Sequence, residues 1–439
     1  MRIWNHGKMV KEISHQIRET MRKELGELGE SIFEKQCLEM GVLPDELDID
    51  DLDEFGDRIY EAVRFFTGME KAEKVKKGIQ KYRLLNVLEE MDEKPSSNVS
   101  LIKECRLLQK LGGTSLDLGD MDQGLKYYRK ALALSEEIDR KDLQAESHLG
   151  LCCVFMERGE FDEAEECLER ALKISDDVGY KPGTAESYRR YGELRWRKGE
   201  FDGSLETFQK ALTLYEDMGD KMGIAVTYKG LGDVYGEMED YENSLEYYQK
   251  SADIYSEEGY YNQMIVISMN IGVIYSLQKD WEKAAEYYRE SEQLAEERTY
   301  PNLRAWCLFN LGESYIYMKE YEKAEGCLKE SMHMLEKQCD PFGEAGVKVK
   351  YGQLCLEKEE YERAEKYISQ SVEKLKELGV KRYLADALHE LGKARKEVGK
   401  EALARENMEE AVSIYDSLDL DGRREIVEED LNDLTKSLK

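Results

Sequence analysis

The chain has 439 residues and a net charge of −30, because 94 acidic residues outnumber 64 lysines and arginines. Nucleic acids and anionic membranes bind basic surfaces, so this balance argues against both as main partners. A basic or amphipathic protein or peptide is compatible with it.

Cysteine and histidine are sparse along the chain. The nine cysteines include no CxxC pair, and no two of the five histidines stand four residues apart. We therefore expect free thiols in a reducing compartment, no metal site and no cofactor. No apolar run approaches the ~18 residues of a membrane span, and the N-terminus lacks the apolar core of a signal peptide. These features predict a cytoplasmic protein without a membrane span.

Residues 1–94 are predicted to form a small N-terminal helical domain. Their apolar spacing predicts three helices, over residues 10–40, 55–67 and 69–92. The acidic stretch near Asp51 would need oxygen ligands where the chain has Phe55 and Ala62 if it were a calcium loop, so we expect no calcium there. The run at residues 95–98 predicts the boundary to the next part of the chain.

Beyond this boundary, a small residue returns every 40 residues. It is Cys152 at one of the eight positions and glycine at the other seven, namely Gly112, Gly192, Gly232, Gly272, Gly312, Gly352 and Gly392. A fixed period of this length is typical of an array in which one supersecondary unit repeats. We therefore predict eight repeats over residues 100–420.

Each repeat has the spacing of two packed helices. After Gly232, for example, Tyr241, Ser244, Tyr248 and Ser251 follow at intervals of three, four and three residues. These intervals place the four side chains on one helical face. Small residues at these positions let two helices approach closely, while the large ones fill the space between them. We therefore predict a helix A, a short turn and a helix B in every repeat.

Further glycines divide the repeats. A left-handed glycine suits the end of a helix, and helix B is predicted to end at Gly179, Gly219, Gly259 and Gly379. The turn from helix A to helix B is predicted at Gly119, Gly159, Gly199 and Gly399, and also at Lys279.

The chain ends in an amphipathic segment. One helical face of this segment carries Ile426, Val427, Leu431, Leu434 and Leu438, and the opposite side is charged. We predict that residues 421–439 form a helix that caps the array.

The repeats resemble the tetratricopeptide repeat (TPR) family. Two stretches carry the resemblance most clearly: GLGDVYGEMEDYENSLEYYQKSADIY and NLGESYIYMKEYEKAEGCLKESMHML. The 40-residue unit is similar to the repeats of LGN/Pins spindle scaffolds, kinesin light chains and Rap-type regulators. The resemblance implies an all-α fold, a right-handed solenoid of eight helix pairs with a C-terminal capping helix.

The resemblance also implies a function, that of a scaffold or adaptor which binds a peptide or helical segment in the concave surface of its A helices. The family's ligand-contacting positions lie six, three and two residues before the small residue and one, four and five after it. Carried onto this chain, they predict a groove that includes Arg189, Lys229, Met269, Asn270, Trp306, Phe309, Asn310, Glu313 and Tyr317. Repeats six and seven would add Ile316, Val349, Gln353 and Leu356.

Two alternatives stay open at this point. The apolar stripe around Trp306 is costly if exposed, so either a partner covers it or facing helices bury it. The chain also resembles Rap-type sensors, in which case it would be a peptide-responsive switch with residues 1–94 as its output. No phosphate-binding glycine loop, GxSxG or HExxH motif is present, so we expect no catalysis.

Overall fold

The fold is seen in a computed structural model. It describes residues 15–23, 25, 27–40, 55–56, 58–60, 63, 74–81, 84–85, 98–338, 340–418 and 420–437. These residues form helices joined by short turns, and no strand occurs among them. The predicted all-α class is therefore confirmed. Most of the acidic stretch around Asp51, and with it the question of a calcium loop, lies outside the described residues.

Eight consecutive helix pairs follow an N-terminal part whose described residues include one short helix and further helical residues at 15–23 and 74–81. The helices are α1 (Glu27–Glu39), α2 (Asn98–Asp117), α3 (Met121–Glu137), α4 (Lys141–Arg158), α5 (Phe161–Val178), α6 (Lys181–Arg197), α7 (Phe201–Met218), α8 (Lys221–Glu237), α9 (Tyr241–Glu257), α10 (Tyr261–Leu277), α11 (Trp281–Glu297), α12 (Pro301–Tyr317), α13 (Tyr321–Gln338), α14 (Pro341–Glu357), α15 (Tyr361–Leu378), α16 (Lys381–Glu397), α17 (Glu401–Asp416) and α18 (Asp421–Ser437). The even-numbered helices α2 to α16 are the A helices, and the helix after each is its B helix. The predicted pairing is confirmed, and α18 follows the last pair.

The chain divides into two compact units, Met1–Tyr260 and Tyr261–Lys439, called unit 1 and unit 2 below. Unit 1 contains the described N-terminal residues and the first four pairs. Its N-terminal part has an apolar cluster of its own, in which Phe33 and Phe55 pack edge to face with ring centroids 5.3 Å apart. Unit 2 contains the last four pairs and α18. The predicted boundaries at residues 94 and 420 stay predictions.

The recurring glycine marks the closest approach of helix A to helix B. A methyl group at Gly232 would lie 2.7 Å from the ring of Tyr248, sixteen residues later, and one at Gly352 would lie 2.3 Å from Ile368. Both distances are far below van der Waals contact, so a large side chain of helix B occupies the space of the missing Cβ. This explains why the series tolerates only small residues at this position.

Buried serines join the two helices of a repeat by hydrogen bonds. Ser244 Oγ donates to the Gly232 carbonyl oxygen at 2.8 Å, and Ser251 Oγ donates to the Ala225 carbonyl oxygen at 2.8 Å. A buried hydroxyl without a partner is costly, and here the close helix approach supplies one. The small residues recognised in the sequence therefore serve two purposes, close packing and hydrogen bonding.

In every turn from helix A to helix B, one residue has the left-handed backbone conformation with a positive φ. Glycine occupies the left-handed position in four repeats, at Gly119, Gly159, Gly199 and Gly399, as predicted. The other four repeats place a charged residue at the same position, namely Glu239, Lys279, Lys319 and Glu359, with φ between 59° and 61°. A side chain in this region clashes with its own backbone. These four turns are therefore strained where the glycine turns are not.

None of the helices among the described residues is both long enough and apolar enough to cross a membrane.

Replacing a strained turn residue by glycine is expected to stabilise the protein. A non-glycine residue in the left-handed conformation costs about 1–2 kcal/mol, and Glu359→Gly removes this cost. Glycine also raises the entropy of the unfolded chain, so we expect the unfolding free energy to increase by about 0.5–1 kcal/mol. The measurement is the midpoint of thermal unfolding followed by circular dichroism. Glu359→Ala is the control, because it removes the same carboxylate and keeps the strain. Equal midpoints for the two variants would contradict the explanation.

Filling the glycine position is expected to have the opposite effect. Gly352→Ala places a methyl group 2.3 Å from Ile368, and such overpacking costs about 1–3 kcal/mol of unfolding free energy. Chemical denaturation measures this loss. Gly326→Ala is the matched control, since nothing lies within 4 Å of that position and alanine favours a helix by about 1 kcal/mol. If Gly352→Ala is as stable as Gly326→Ala, the close contact does not explain the glycine.

Candidate functional site

A cleft of about 790 Å³ opens in unit 2 on the face formed by the A helices. Helices α12, α14 and α16 supply most of its wall, and α15, α17 and α18 supply the rest. Its apolar side chains include Trp306, Phe309, Val349, Phe342, Tyr383 and Ile426. The volume lies within the range of about 300–1,000 Å³ that is usual for ligand sites in proteins.

An aromatic cluster runs through this cleft from helix to helix. On α12, the rings of Trp306 and Phe309 meet edge to face with centroids 5.5 Å apart. Phe342 of α14 lies 6.4 Å from Trp306, and Tyr383 of α16 meets Phe342 edge to face at 4.9 Å. These spacings are the favourable ones for aromatic pairs, so the rings hold each other in place. Tyr383 nevertheless stays 48% exposed.

A second, more polar cleft of about 710 Å³ adjoins the first. Four residues line both clefts: Tyr317, Gln353, Glu390 and Lys393. Because these walls are shared, the two clefts form one continuous surface, which we call the unit 2 cleft. Its aromatic end contains the ring cluster, and its polar end adds Glu357, Lys396, Glu397 and Asp430.

Ion pairs fix the charged side chains around this cleft. Lys350 of α14 donates to the Glu313 carboxylate of α12. Burial by itself lowers the pKa of Lys350, but the Glu313 carboxylate more than offsets it, so the pKa lies above its ordinary value. Lys350 therefore stays charged at neutral pH, and this pair ties two neighbouring repeats together.

Helix α18 is joined to α16 by polar contacts at the edge of the cleft. Arg423 donates to the Asp386 carboxylate, which also accepts a hydrogen bond of 2.6 Å from the Tyr415 hydroxyl. Burial and this carboxylate raise the pKa of Tyr415, so its hydroxyl stays a donor. His389 Nε2 lies 2.7 Å from Asp430 Oδ2. The C-terminal helix is thus held in position beside the binding surface.

Four of the predicted groove residues line the unit 2 cleft. Trp306 and Phe309 lie at its aromatic end, Glu313 at its polar end, and Tyr317 at both. Tyr317 is 55% exposed on one face, and its other face stacks on Trp281 with centroids 4.0 Å apart and planes 9° apart. The additional predictions Ile316, Val349, Gln353 and Leu356 also line the cleft.

Three other predicted residues of unit 2 lie outside this lining. Met269 and Asn270 are half-buried on α10, and Met269 packs against the apolar core. Asn310 is half-buried on α12, and its carbonyl oxygen accepts a hydrogen bond from Ser314. None of the three is among the side chains that line the unit 2 cleft. Their role in ligand binding stays a prediction.

The two predicted residues of unit 1 are engaged in ion pairs. Lys229 donates to Asp233 at 2.6 Å. Arg189, whose side chain is 11% exposed, binds both oxygens of Glu186 at 2.8 and 2.6 Å, and Arg190 binds the same carboxylate at 2.8 Å. Burial by itself raises the pKa of Glu186, but the two arginines outweigh it and bring the pKa down to about 2.

The sequence interpretation of one residue was wrong. Ile426 was assigned to the packed face of the capping helix, but its side chain is 58% exposed and lines the cleft, whereas Val427 and Leu434 are buried. A helical face recognised from spacing is wider than the surface that the neighbouring helix covers. Ile426 lies at the edge of that face and is left uncovered.

Several lining residues were missed by the sequence analysis. Applying the same positions to the repeat of Gly392 would have identified Asp386, His389, Glu390 and Lys393, all of which line the cleft. Phe342 and Tyr383 lie in the first turns of their helices, outside those positions, and no signal in the sequence marked them. Among the described residues, no three His, Cys, Asp or Glu side chains gather in a way that could hold a metal ion.

The repeats match a known family. The tetratricopeptide repeat model matches residues 104–177, 143–217, 223–297 and 263–337, which together span more than half of the chain. No curated protein sequence matches the chain.

Solved structures share the fold at low sequence identity. A signal transduction ATPase with numerous domains that has a tetratricopeptide repeat sensor, from Pyrococcus horikoshii, is 13% identical with a TM-score of 0.56, over 95% of this chain and 74% of that one. Aspartyl phosphate phosphatase F from Bacillus subtilis is 13% identical with a TM-score of 0.52, over 93% of each chain. At these identities the similarity concerns the fold alone.

Removing the charge of Glu186 is expected to destabilise the protein. Glu186→Gln removes the carboxylate that lies closest to both Arg189 and Arg190, which costs about 2–3 kcal/mol of unfolding free energy at pH 7. A carboxyl group with a lowered pKa stabilises the fold above its unfolded pKa of about 4.3, and this contribution is lost as the pH falls towards 2. The difference in unfolding free energy between wild type and variant should therefore become smaller below about pH 4.3. Chemical denaturation at several pH values measures it.

The matched control is Glu206→Gln, which removes an exposed carboxylate from its pair with Lys210. Its unfolding free energy should stay close to that of the wild type, because exposed ion pairs contribute little to stability. A similar loss in both variants would contradict the special role of Glu186.

Proposed function

Because the chain belongs to the tetratricopeptide repeat family, we propose that it is a non-catalytic interaction protein that holds a peptide or helical segment of a partner in the unit 2 cleft. The observation behind this proposal is the aromatic cluster of Trp306, Phe309, Phe342 and Tyr383, which borders an open cleft instead of a closed core. The fold is typical of interaction scaffolds, and no substrate chemistry is needed to explain this surface.

The cleft has the properties of a binding hot spot. Buried or half-buried aromatic side chains at the centre of an interface contribute most of the binding energy, and an outer ring of polar groups excludes water. Here Trp306 and Phe309 are half-buried, while pairs such as Lys350 with Glu313 surround them. The rings contact each other before any ligand arrives, so little side-chain entropy is lost on binding.

The partner is a protein or peptide in this proposal, not a nucleic acid. The net charge of −30 repels phosphate backbones, whereas an apolar cleft of this size fits side chains of a folded or extended segment. We infer that the protein works in the cytoplasm, consistent with cysteines that form no CxxC pair.

A peptide-responsive regulatory switch is the second candidate. It is supported by similarity in fold to a tetratricopeptide repeat sensor of a signal transduction ATPase and to aspartyl phosphate phosphatase F, over nearly the whole chain. In this case the ligand would bind the same cleft, and the N-terminal region would transmit the response. The two candidates differ in whether ligand binding changes the shape of the molecule.

The test begins with peptides selected from a random library on the full-length protein. For a peptide labelled with fluorescein, we expect Trp306→Ala combined with Phe309→Ala to raise the Kd roughly 10- to 100-fold, because two anchor contacts are lost. Fluorescence anisotropy measures the Kd. The control is Tyr287→Ala, which removes a half-buried aromatic side chain of α11 that stacks on Tyr275 outside the cleft.

Selected peptides whose affinity is unchanged by the double substitution would contradict binding in the cleft. Small-angle X-ray scattering with and without the tightest peptide then separates the two candidates. A radius of gyration that does not change favours the scaffold, and a decrease favours the switch.

A further inference from the structure

The unit 2 cleft combines an apolar end with an unbalanced set of charges, and this combination specifies its ligand more closely. We propose that the bound segment is amphipathic, with an aromatic or aliphatic anchor and a lysine or arginine beside it, and that α18 takes part in binding. The inference rests on the proposed function, because it concerns the ligand of the same cleft.

The first observation is the position of α18. Its buried Val427 and Leu434 pack into the core of unit 2, while Ile426, on the same helix, is exposed and lines the aromatic end of the cleft. Phe342 and Tyr383 line that end too. An apolar ligand side chain that enters there would be enclosed by two rings and one branched aliphatic group. Its binding would remove apolar surface of both the ligand and the cleft from water.

The second observation is the charge at the junction of the two ends. Lys393 Nζ lies 3.0 Å from Glu390 and 3.9 Å from Asp430, so one ammonium group faces two carboxylates. Lys350 on the neighbouring helix is held by Glu313. These five groups comprise three carboxylates and two ammonium groups, so the carboxylates exceed the ammonium groups by one.

Of the two carboxylates that face Lys393, Glu390 is the poorly solvated one, since Asp430 is 40% exposed. The Glu390 side chain is only 16% exposed, so water screens it weakly and a nearby cation is favoured. Arg423 does not supply that cation, because it is engaged with Asp386. A lysine or arginine of the ligand would supply the missing positive charge, whereas a ligand carboxylate would be repelled by Glu390 and Asp430. Charge therefore favours a basic residue next to the apolar anchor.

The experiment uses the full-length protein and the peptides selected from the random library. We expect these peptides to share an apolar residue with a lysine or arginine one or two helical turns away, or nearby in an extended peptide. Replacing that basic residue by norleucine should weaken binding about 3- to 10-fold. Glu390→Gln should weaken binding of the original peptide by a similar factor and leave the norleucine peptide unaffected, as expected for a direct pair.

Ile426→Ser tests the role of α18. We expect binding of every selected peptide to weaken about 5- to 30-fold with an unchanged melting temperature, because Ile426 is already exposed in the free protein. Leu403→Ser, an exposed leucine on α17 outside the cleft lining, is its control. Glu373→Gln, an exposed carboxylate on α15, controls for the loss of one charge anywhere on this acidic surface.

Peptides that bind through Trp306 and Phe309 but are acidic or uncharged would overturn this inference and leave the proposed function intact. So would equal effects of Glu390→Gln and Glu373→Gln, or an Ile426→Ser variant that binds normally. Selected peptides whose Kd is unchanged by the combined Trp306→Ala and Phe309→Ala substitutions would overturn both proposals together.

Discussion

The contact of one large side chain with one glycine determines how closely the two helices of a repeat approach each other. In seven of the eight pairs, a residue of helix B such as Tyr248 or Ile368 fills the space where the glycine of helix A has no Cβ, and the eighth pair has Cys152 there. The helices then lie close enough for Ser244 and Ser251 to reach backbone carbonyls across the interface. Close packing thus requires small residues at these positions, and in some repeats a serine there adds a hydrogen bond across the interface.

Only one face of each A helix is needed for packing against helix B, so the residues on its other face can differ from repeat to repeat. On helix α6 this face carries Arg189 and Arg190, whose charges are balanced by the carboxylates of Glu186 and Glu193 on the same helix. Helices α12, α14 and α16 use it for aromatic rings that border a cleft. Repeats with the same backbone therefore present different chemistry, and the aromatic face is the one suited to anchor a partner.

The fold was predictable because its signals repeat. Eight units give the same spacing, so the glycine series, the turns at Gly119 or Gly399 and the helix pairs could all be recognised from the sequence. The cleft was predicted only in part. Trp306, Phe309 and Tyr317 follow from the family's positions, but Phe342 and Tyr383 do not, and Ile426 was placed on the apolar face of the capping helix. The spacing of apolar residues defines one face of a helix. Which residues of that face are buried depends on how far the neighbouring helix extends over it, and one sequence does not contain that information.

The strained turns have a consequence for the motions of the array. Each repeat contacts chiefly its neighbours, so a penalty in one turn lowers the stability of that region without spreading along the chain. The four turns without glycine, from Glu239 to Glu359, are consecutive, and glycine turns precede and follow them. Backbone amides next to these four turns should therefore exchange their hydrogens with solvent sooner than those beside Gly159 or Gly399, through local opening events that leave the outer repeats folded. The free energy of local opening is thus uneven along the repeats, and the stretch where it is lowest overlaps the repeats that form the aromatic cleft.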